Sequence, residues 1–162
     1  MIAAIDVHYK NDESAKAAAV VFSDFSDNEA YRTYLSSILK VKAYMPGQFY
    51  KRELPCILSI LGVIEEKIDT VIIDGYVDLD RRPGLGRHLW EVLEGRKSII
   101  GVAKKHFRGS EAVKIYRGES RLPLFITSAG IETVKAAGLI EQMHGNSRIP
   151  ALLKLADYIS RS

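Results

Sequence analysis

Four carboxylates in this sequence stand inside or beside apolar segments, where an ionised acid is costly to bury: Asp6, Glu53, Asp74 and Asp157. Asp6 falls on the apolar run from Ile2 to Val7. Asp74 closes Thr70-Val71-Ile72-Ile73 and is followed at once by Gly75. Glu53 precedes Ile57 by four residues, which puts it on the inward side of a continuous helix. Asp157 lies among Leu153, Leu155, Ala156 and Ile159. Several carboxylates brought together repel one another, and their pKa values rise unless a cation neutralises them. Hard oxygen donors of this kind suit Mg²⁺, with Mn²⁺ as the alternative. An ion held this way activates water and steadies the leaving oxygen of a phosphodiester. The plainer reading is four unrelated surface acids, with Asp74-Gly75 no more than a turn pair.

The elements that must position these acids follow from the apolar pattern. Ile2 to Val7 and Ala17 to Phe22 read as strands joined by a short polar turn, an antiparallel hairpin. Tyr31 to Val41 alternates less cleanly, but its Tyr, Thr and Ile residues favour a third strand over a helix. Beyond the break at Tyr44-Met45-Pro46-Gly47 the period changes. Leu54, Ile57, Leu58, Leu61, Ile64 and Ile68 then share one helical face. Pro55 predicts a kink in that helix or a new start. Thr70 to Asp74 is a buried-type strand, followed by a polar loop from Tyr76 to Arg82 and a helix from about Pro83 to Leu93. Ser98 to Ala103 is another buried strand, ending at Lys104-Lys105. Ala112 to Tyr116 and Leu122 to Thr127 form a late β-pair. A helix carrying Ile131, Val134, Ala137 and Ile140 begins just after Ser128-Ala129-Gly130, and Pro150 opens a final helix. No internal repeat is present. The order predicts an α/β fold: a ribonuclease-H-like mixed sheet with helices on both faces.

Composition narrows the class. The 162 residues are 47% hydrophobic and 27% charged, as expected of one soluble globular domain spanning 1–162. A single cysteine, Cys56, excludes an internal disulfide and a cysteine-built zinc site, so a reducing cytoplasm is the expected location. His88, His106 and His144 lack the spacing of a zinc site. No apolar run approaches membrane-spanning length, and the N-terminus does not read as a signal peptide. A net charge of +3 permits an anionic partner without requiring one. A monomer is expected.

Five stretches carry a family resemblance. They are Ile5-Asp6-Val7-His8-Tyr9, Tyr44-Met45-Pro46-Gly47 running on to Arg52-Glu53-Leu54-Pro55, Ile73-Asp74-Gly75, Gly101-Val102-Ala103-Lys104, and Arg148-Ile149-Pro150 leading to Ala156-Asp157. In order and spacing they resemble endonuclease V, a family of inosine-directed nucleases with a ribonuclease-H-like fold. The resemblance implies that Asp6, Glu53, Asp74 and Asp157 gather around Mg²⁺ with Lys104 beside the scissile phosphate. Asp6, Glu53, Asp74 and Lys104 would be the catalytic set. Tyr44, Pro46 and Gly47 would form the wedge that fills the duplex when a damaged base is extruded. Gly75, Ser128 and Gly130 would approach that base with backbone. The implied partner is DNA containing deaminated bases, and the implied process is DNA repair. Read singly, Tyr44 is an ordinary half-buried aromatic and Lys104-Lys105 a solvated strand end.

The departures are specific. Where the family shows a Gly and then His-Pro-Arg after the Asp-Gly pair, this sequence has Tyr76-Val77-Asp78-Leu79-Asp80-Arg81-Arg82-Pro83. Asp80 or a near neighbour takes the place of the histidine. Ile131 replaces the histidine of the family's Ser-x-Gly-His. The chain also begins directly on its first strand, without the family's extra N-terminal segment. Two other readings therefore stand beside a DNA-cleaving enzyme: an inosine-directed ribonuclease, and a relative that binds nucleic acid without cutting it.

Overall fold

A computed structural model of the chain describes residues 1–10, 13–43 and 45–162. In chain order its elements are β1 (Ile2–Tyr9), β2 (Ala15–Phe22), β3 (Arg32–Ile38), α1 (Phe49–Val63), β4 (Thr70–Asp74), β5 (Asp78–Leu79) and β6 (Arg82–Pro83). There follow α2 (Leu85–Val92), β7 (Ser98–Ala103), β8 (Val113–Ile115), β9 (Leu124–Ala129), α3 (Thr133–Glu141) and α4 (Ala151–Ser160). The main sheet has the order β3-β2-β1-β4-β7-β9-β8. β1, β2 and β3 form the expected antiparallel meander. β1, β4 and β7 run parallel, and β9 returns antiparallel against β7. No helix among the described residues is long and apolar enough to cross a membrane.

The strands are apolar on both sides because both sides are covered. Alternate residues go to opposite cores. Ala3, Ile5, Val71, Ile73 and Ile99 pack with Ile57 and Ile60 of α1 and with Leu85 and Leu89 of α2. Ile2, Ala4, Ile72, Ile100 and Val102 pack with Ala136, Ala137 and Ile140 of α3 and with Leu152 and Ala156 of α4. The outer strand β3 is covered only in part. Its exposure alternates, and Arg32 and Tyr34 on it reach Glu65 and Glu66 beyond α1. That half-covered edge is why its sequence alternates weakly.

Four expectations need correction. Of the two outcomes expected at Pro55, a kink or a new start, the new start does not occur: α1 runs on as one helix, with the ring on the exposed face, where the carbonyl left without a donor is open to water. The buried stripe of α1 is Glu53, Cys56, Ile57 and Ile60. Leu54, Leu58 and Leu61 flank it, and Ile64 and Ile68 lie past the helix end. The loop from Tyr76 to Arg82 contains a small hairpin, β5 with β6, turned at Asp80 with φ 44°. Pro83 belongs to that hairpin, and α2 starts after Gly84. Its first N–H groups are taken up by the Tyr76 and Val77 carbonyls. Finally, α3 starts at Thr133 because the Ser128 hydroxyl donates to the Ile131 carbonyl at 2.6 Å and meets the Thr133 hydroxyl at 2.8 Å, holding Ile131 in a turn.

Candidate active site

β1 and β4 set two of the acids side by side. Ala4 pairs with Ile72, and Asp6 and Asp74 each lie two residues further along their parallel strands. Both therefore take the same parity, toward the face covered by α4. From α4, the Ser160 hydroxyl donates to Asp6 Oδ2 at 3.1 Å, and Asp157, one turn earlier, shares a side-chain hydrogen bond with Asp6. Arg161 Nε donates to Asp157 Oδ1 at 2.9 Å. Glu53 comes from the opposite layer. The stripe of α1 that packs on the sheet carries it inward, leaving it 6% exposed. Lys104, just past β7, places Nζ 3.7 Å from Asp74 Oδ2.

Two adjoining spaces share Asp6, Asp74 and Lys104. One is an open cleft of about 450 Å³, walled by Glu53, Gly75, Phe49 and Tyr76 among others. The other is a smaller cavity of about 110 Å³, reaching Asp157 between the sheet and α4. The cleft lies at the carboxyl ends of the parallel strands, where open α/β sheets bind ligands. Gly75 has φ 130°, and a Cβ there would meet nothing within 4 Å, so bare backbone faces the open space.

The crowding of acids shows in their proton affinities. Burial pushes Asp6 up to about 7, aided by its hydrogen bond to Asp157 and the charge of Asp74. Burial pushes Glu53 up to about 8, with Asp74 and Asp6 adding repulsion that Arg52 does not offset. For Asp157, burial raises the pKa, but the hydrogen bonds from Arg161 and Asp6 outweigh it and the net shift is downward. Thus at neutral pH Glu53 largely retains its proton and Asp6 is close to half protonated. Among the described residues, no group of three or more His, Cys, Asp or Glu side chains is arranged to hold a metal ion. Asp6, Glu53 and Asp74 line the open cleft and Asp157 the adjoining cavity, without closing on a common point.

The remaining predicted site residues divide. Tyr44 lies outside the described residues. Pro46 and Gly47 form an exposed turn in which the Gln48 N–H donates to the Met45 carbonyl at 3.0 Å. Gly47 has the positive φ, 77°, that a Pro-Gly turn of this kind requires. This turn leads straight into Phe49 on the cleft wall. Ser128 and Gly130 are elsewhere. Ser128 pairs with Ile100, and Gly130 meets Ser98 at the start of β7, whereas Lys104 follows its other end. Asp80 sits in the β5–β6 turn and does not line the acid cleft.

Of three positioning groups, Ser160 and Arg117 give no signal in the sequence, and Arg148 stands there only as part of a resembling stretch. Ser160 reads there as an ordinary helix residue. Arg117 is buried, and its guanidinium donates to the carbonyls of Met143, Gly145 and Ser147, fixing the loop that launches α4. Arg148 joins the Pro123 and Lys104 carbonyls. A run of unsatisfied carbonyls in a loop is invisible before the loop is folded.

A mixed sheet in this order, with acids at the ends of its central parallel strands, defines a ribonuclease-H-like protein. A family model for Endonuclease V matches residues 1–128. Endonuclease V of Pyrococcus horikoshii is 31% identical over 163 residues, covering 99% of this chain and 72% of its own length. That of a Nostoc species is 31% identical over 144 residues, covering 82% and 64%. The chain thus spans about two thirds to three quarters of these relatives. A solved structure of Ciona intestinalis Endonuclease V, bound to a 24mer DNA containing an inosine followed by a ribo-adenosine, overlays with a TM-score of 0.83. It does so at 21% identity, covering 99% of this chain and 83% of that one, a likeness of fold. The chain belongs to the endonuclease V family, whose members are nucleases that hydrolyse phosphodiester bonds.

Proposed function

We propose that this protein is a Mg²⁺-dependent endonuclease that cuts a phosphodiester bond near deoxyinosine or another deaminated base in DNA, leaving 3′-hydroxyl and 5′-phosphate ends. The observation that carries the reading is that Asp6, Glu53, Asp74 and Lys104 line one cleft at the strand ends.

The donor set fits a hard divalent cation. Asp6 and Glu53 hold their protons to unusually high pH because burial and neighbouring carboxylates leave their charge uncompensated, and a cation would supply that compensation. Asp6, Glu53, Asp74 and Asp157 are the residues that would hold it. Bound there, it would supply Lewis acidity to the phosphate and to the attacking water. Lys104 contributes a fixed positive charge beside Asp74, placed to meet a non-bridging phosphate oxygen. Ser160 holds Asp6 Oδ2 in orientation. The open backbone at Gly75 would admit a flat base, and the Pro46-Gly47 turn, which leads into Phe49 on the cleft wall, would replace it in the stack.

Incubation of the protein with a labelled inosine-containing duplex and Mg²⁺ tests this. Wild type should cut, and Asp74→Ala should lose at least about 10²-fold of the rate. No cleavage by wild type, or equal cleavage by Asp74→Ala, sinks the proposal. The ribo-adenosine after inosine in the Ciona complex favours testing a second substrate. Matched strands with a deoxy- or ribonucleotide after the inosine separate a DNA-cutting enzyme from an inosine-directed ribonuclease.

A further inference from the structure

Two loops leave the sheet beside the acid cleft, one after β4 and one after β7, and they are packed into a single surface. The Tyr76 hydroxyl donates to the Lys105 carbonyl at 2.6 Å and accepts from the Phe107 N–H at 3.0 Å. The Tyr76 and Phe107 rings lie 6.0 Å apart. Farther out, Asp80 lies so close to Gly109 that a Cβ there would come within 2.8 Å of the Asp80 carboxyl carbon. Between the loops is a groove of about 470 Å³ lined by Asp80, Arg81, Arg82, Phe107, Arg108 and Gly109.

The charges in this groove are unspent. Arg32, Arg87, Arg96 and Arg161 each pair with a carboxylate. Arg81, Arg82 and Arg108 are exposed and have no ion-pair partner among the described residues. Within this groove three unpaired guanidiniums face one acid, Asp80, while Asp78, Glu91 and Glu111 line a neighbouring space that Arg81 and Arg82 share. Guanidinium is the side chain whose planar fork matches phosphate oxygens. The groove also adjoins the acid cleft across one wall, since Tyr76 lines the cleft and Phe107 the groove. A strand leaving the cleft past Lys104 and Lys105 would cross that wall into it.

We propose that this groove is a phosphate track that grips the nucleic-acid backbone flanking the scissile bond, with Arg81, Arg82 and Arg108 as its contacts. The proposal rests on the nuclease reading of the acid cleft and adds the course of the strand. It also gives a role to the departing loop, in which Arg81 and Arg82 follow the Asp80 that stands at or near the place of the family's histidine. Contacts of this kind position the strand without reading its bases.

The test measures binding in EDTA, by fluorescence anisotropy of labelled single-stranded DNA without inosine, over a series of salt concentrations. Each lost phosphate contact on a single strand lowers the slope of log K against log salt by about 0.7. Arg81→Gln/Arg82→Gln/Arg108→Gln should therefore reduce the slope by about 2 and weaken low-salt binding by about tenfold or more. Arg121→Gln, exposed on the β8–β9 connection, serves as the control and should change little. With an inosine substrate the triple variant should raise KM and keep kcat within about twofold. An unchanged slope, or a loss no larger than the control's, overturns the track. If the triple variant melts earlier than wild type, the three single variants decide, each with about a third of the slope change. Binding is read without cation or inosine. A wild type that fails to cut would thus overturn the nuclease reading while a slope change would still uphold the track.

Discussion

Asp6 and Glu53 are the two residues whose chemistry is most altered by where the chain puts them. Both are carboxyls whose folded-state pKa is raised, to about 7 and about 8, above ordinary values of 3.8 and 4.5. Between about pH 4 and pH 8 the folded protein then binds more protons than the unfolded chain, so stability falls as pH rises through that window. Thermal scans of the cation-free protein should show a Tm that declines from pH 5 to pH 8. Glu53→Gln should flatten that decline and raise Tm at pH 8, while losing at least about 10²-fold in cleavage rate. A Glu53→Gln protein that melts below wild type at pH 8 would contradict the uncompensated burial described above. These acids were legible in the sequence because each breaks an apolar pattern. Ser160 was not, since a helical serine looks the same whether it faces water or Asp6. Ser160→Ala should cost about 1 kcal/mol of stability, read by urea denaturation. Because the Ser160 hydrogen bond lowers the Asp6 pKa, its loss should also raise that pKa further, which carboxyl titration would follow.

At the scale of elements, α1 and the loop before α4 show what periodicity can and cannot say. The spacing placed a helix after the Pro46-Gly47 turn and put Glu53 on its inward side. Of the two outcomes it allowed at Pro55, the structure rules out the new start, because a proline on a solvent-facing turn loses one hydrogen bond without forcing a break. Pro55→Ala should restore that bond and stabilise the protein by about 1–2 kcal/mol, net of the extra freedom gained by the unfolded chain. A Tm increase of about 2–4 °C per kcal/mol would register it. The loop from 142 to 150 follows no period at all. What shapes it is Arg117, arriving from the other side of the chain to collect its carbonyls. Arg117→Met should destabilise by about 2–4 kcal/mol, because several buried acceptors lose a charged donor together. The measurement is again equilibrium unfolding, and an unchanged midpoint would count against the staple.

Over the whole molecule, the sheet order depends on pairings between distant segments. Local pattern supplied the strands and the meander, while the family resemblance supplied the expectation that Asp6, Glu53, Asp74 and Asp157 come from four elements to one place. Nothing local revealed that the β4–α2 loop folds as a hairpin against the β7 loop, since that depends on Gly109 meeting Asp80. If the carboxylates hold a cation as proposed, the entire fold becomes responsive to it. An ion that binds only the folded chain at a hundred times its Kd would add about 2.7 kcal/mol of stability. Mg²⁺ or Mn²⁺ should therefore raise Tm at pH 8. The rise should be smaller at pH 5, where protons on Asp6 and Glu53 compete. An equal rise at both pH values would place the binding elsewhere.

The hydrogen bond between Ser160 and Asp6 spans 154 residues. During synthesis at roughly 5–20 residues per second, Asp6 exists for on the order of 10 s or more before α4 emerges to meet it. Throughout that interval the nascent chain holds Asp6, then Glu53 and Asp74, without Asp157 or the helix that carries it. A cleft whose acids come from segments this far apart in sequence is thus assembled late, and until α4 emerges the growing chain carries only its unfinished parts.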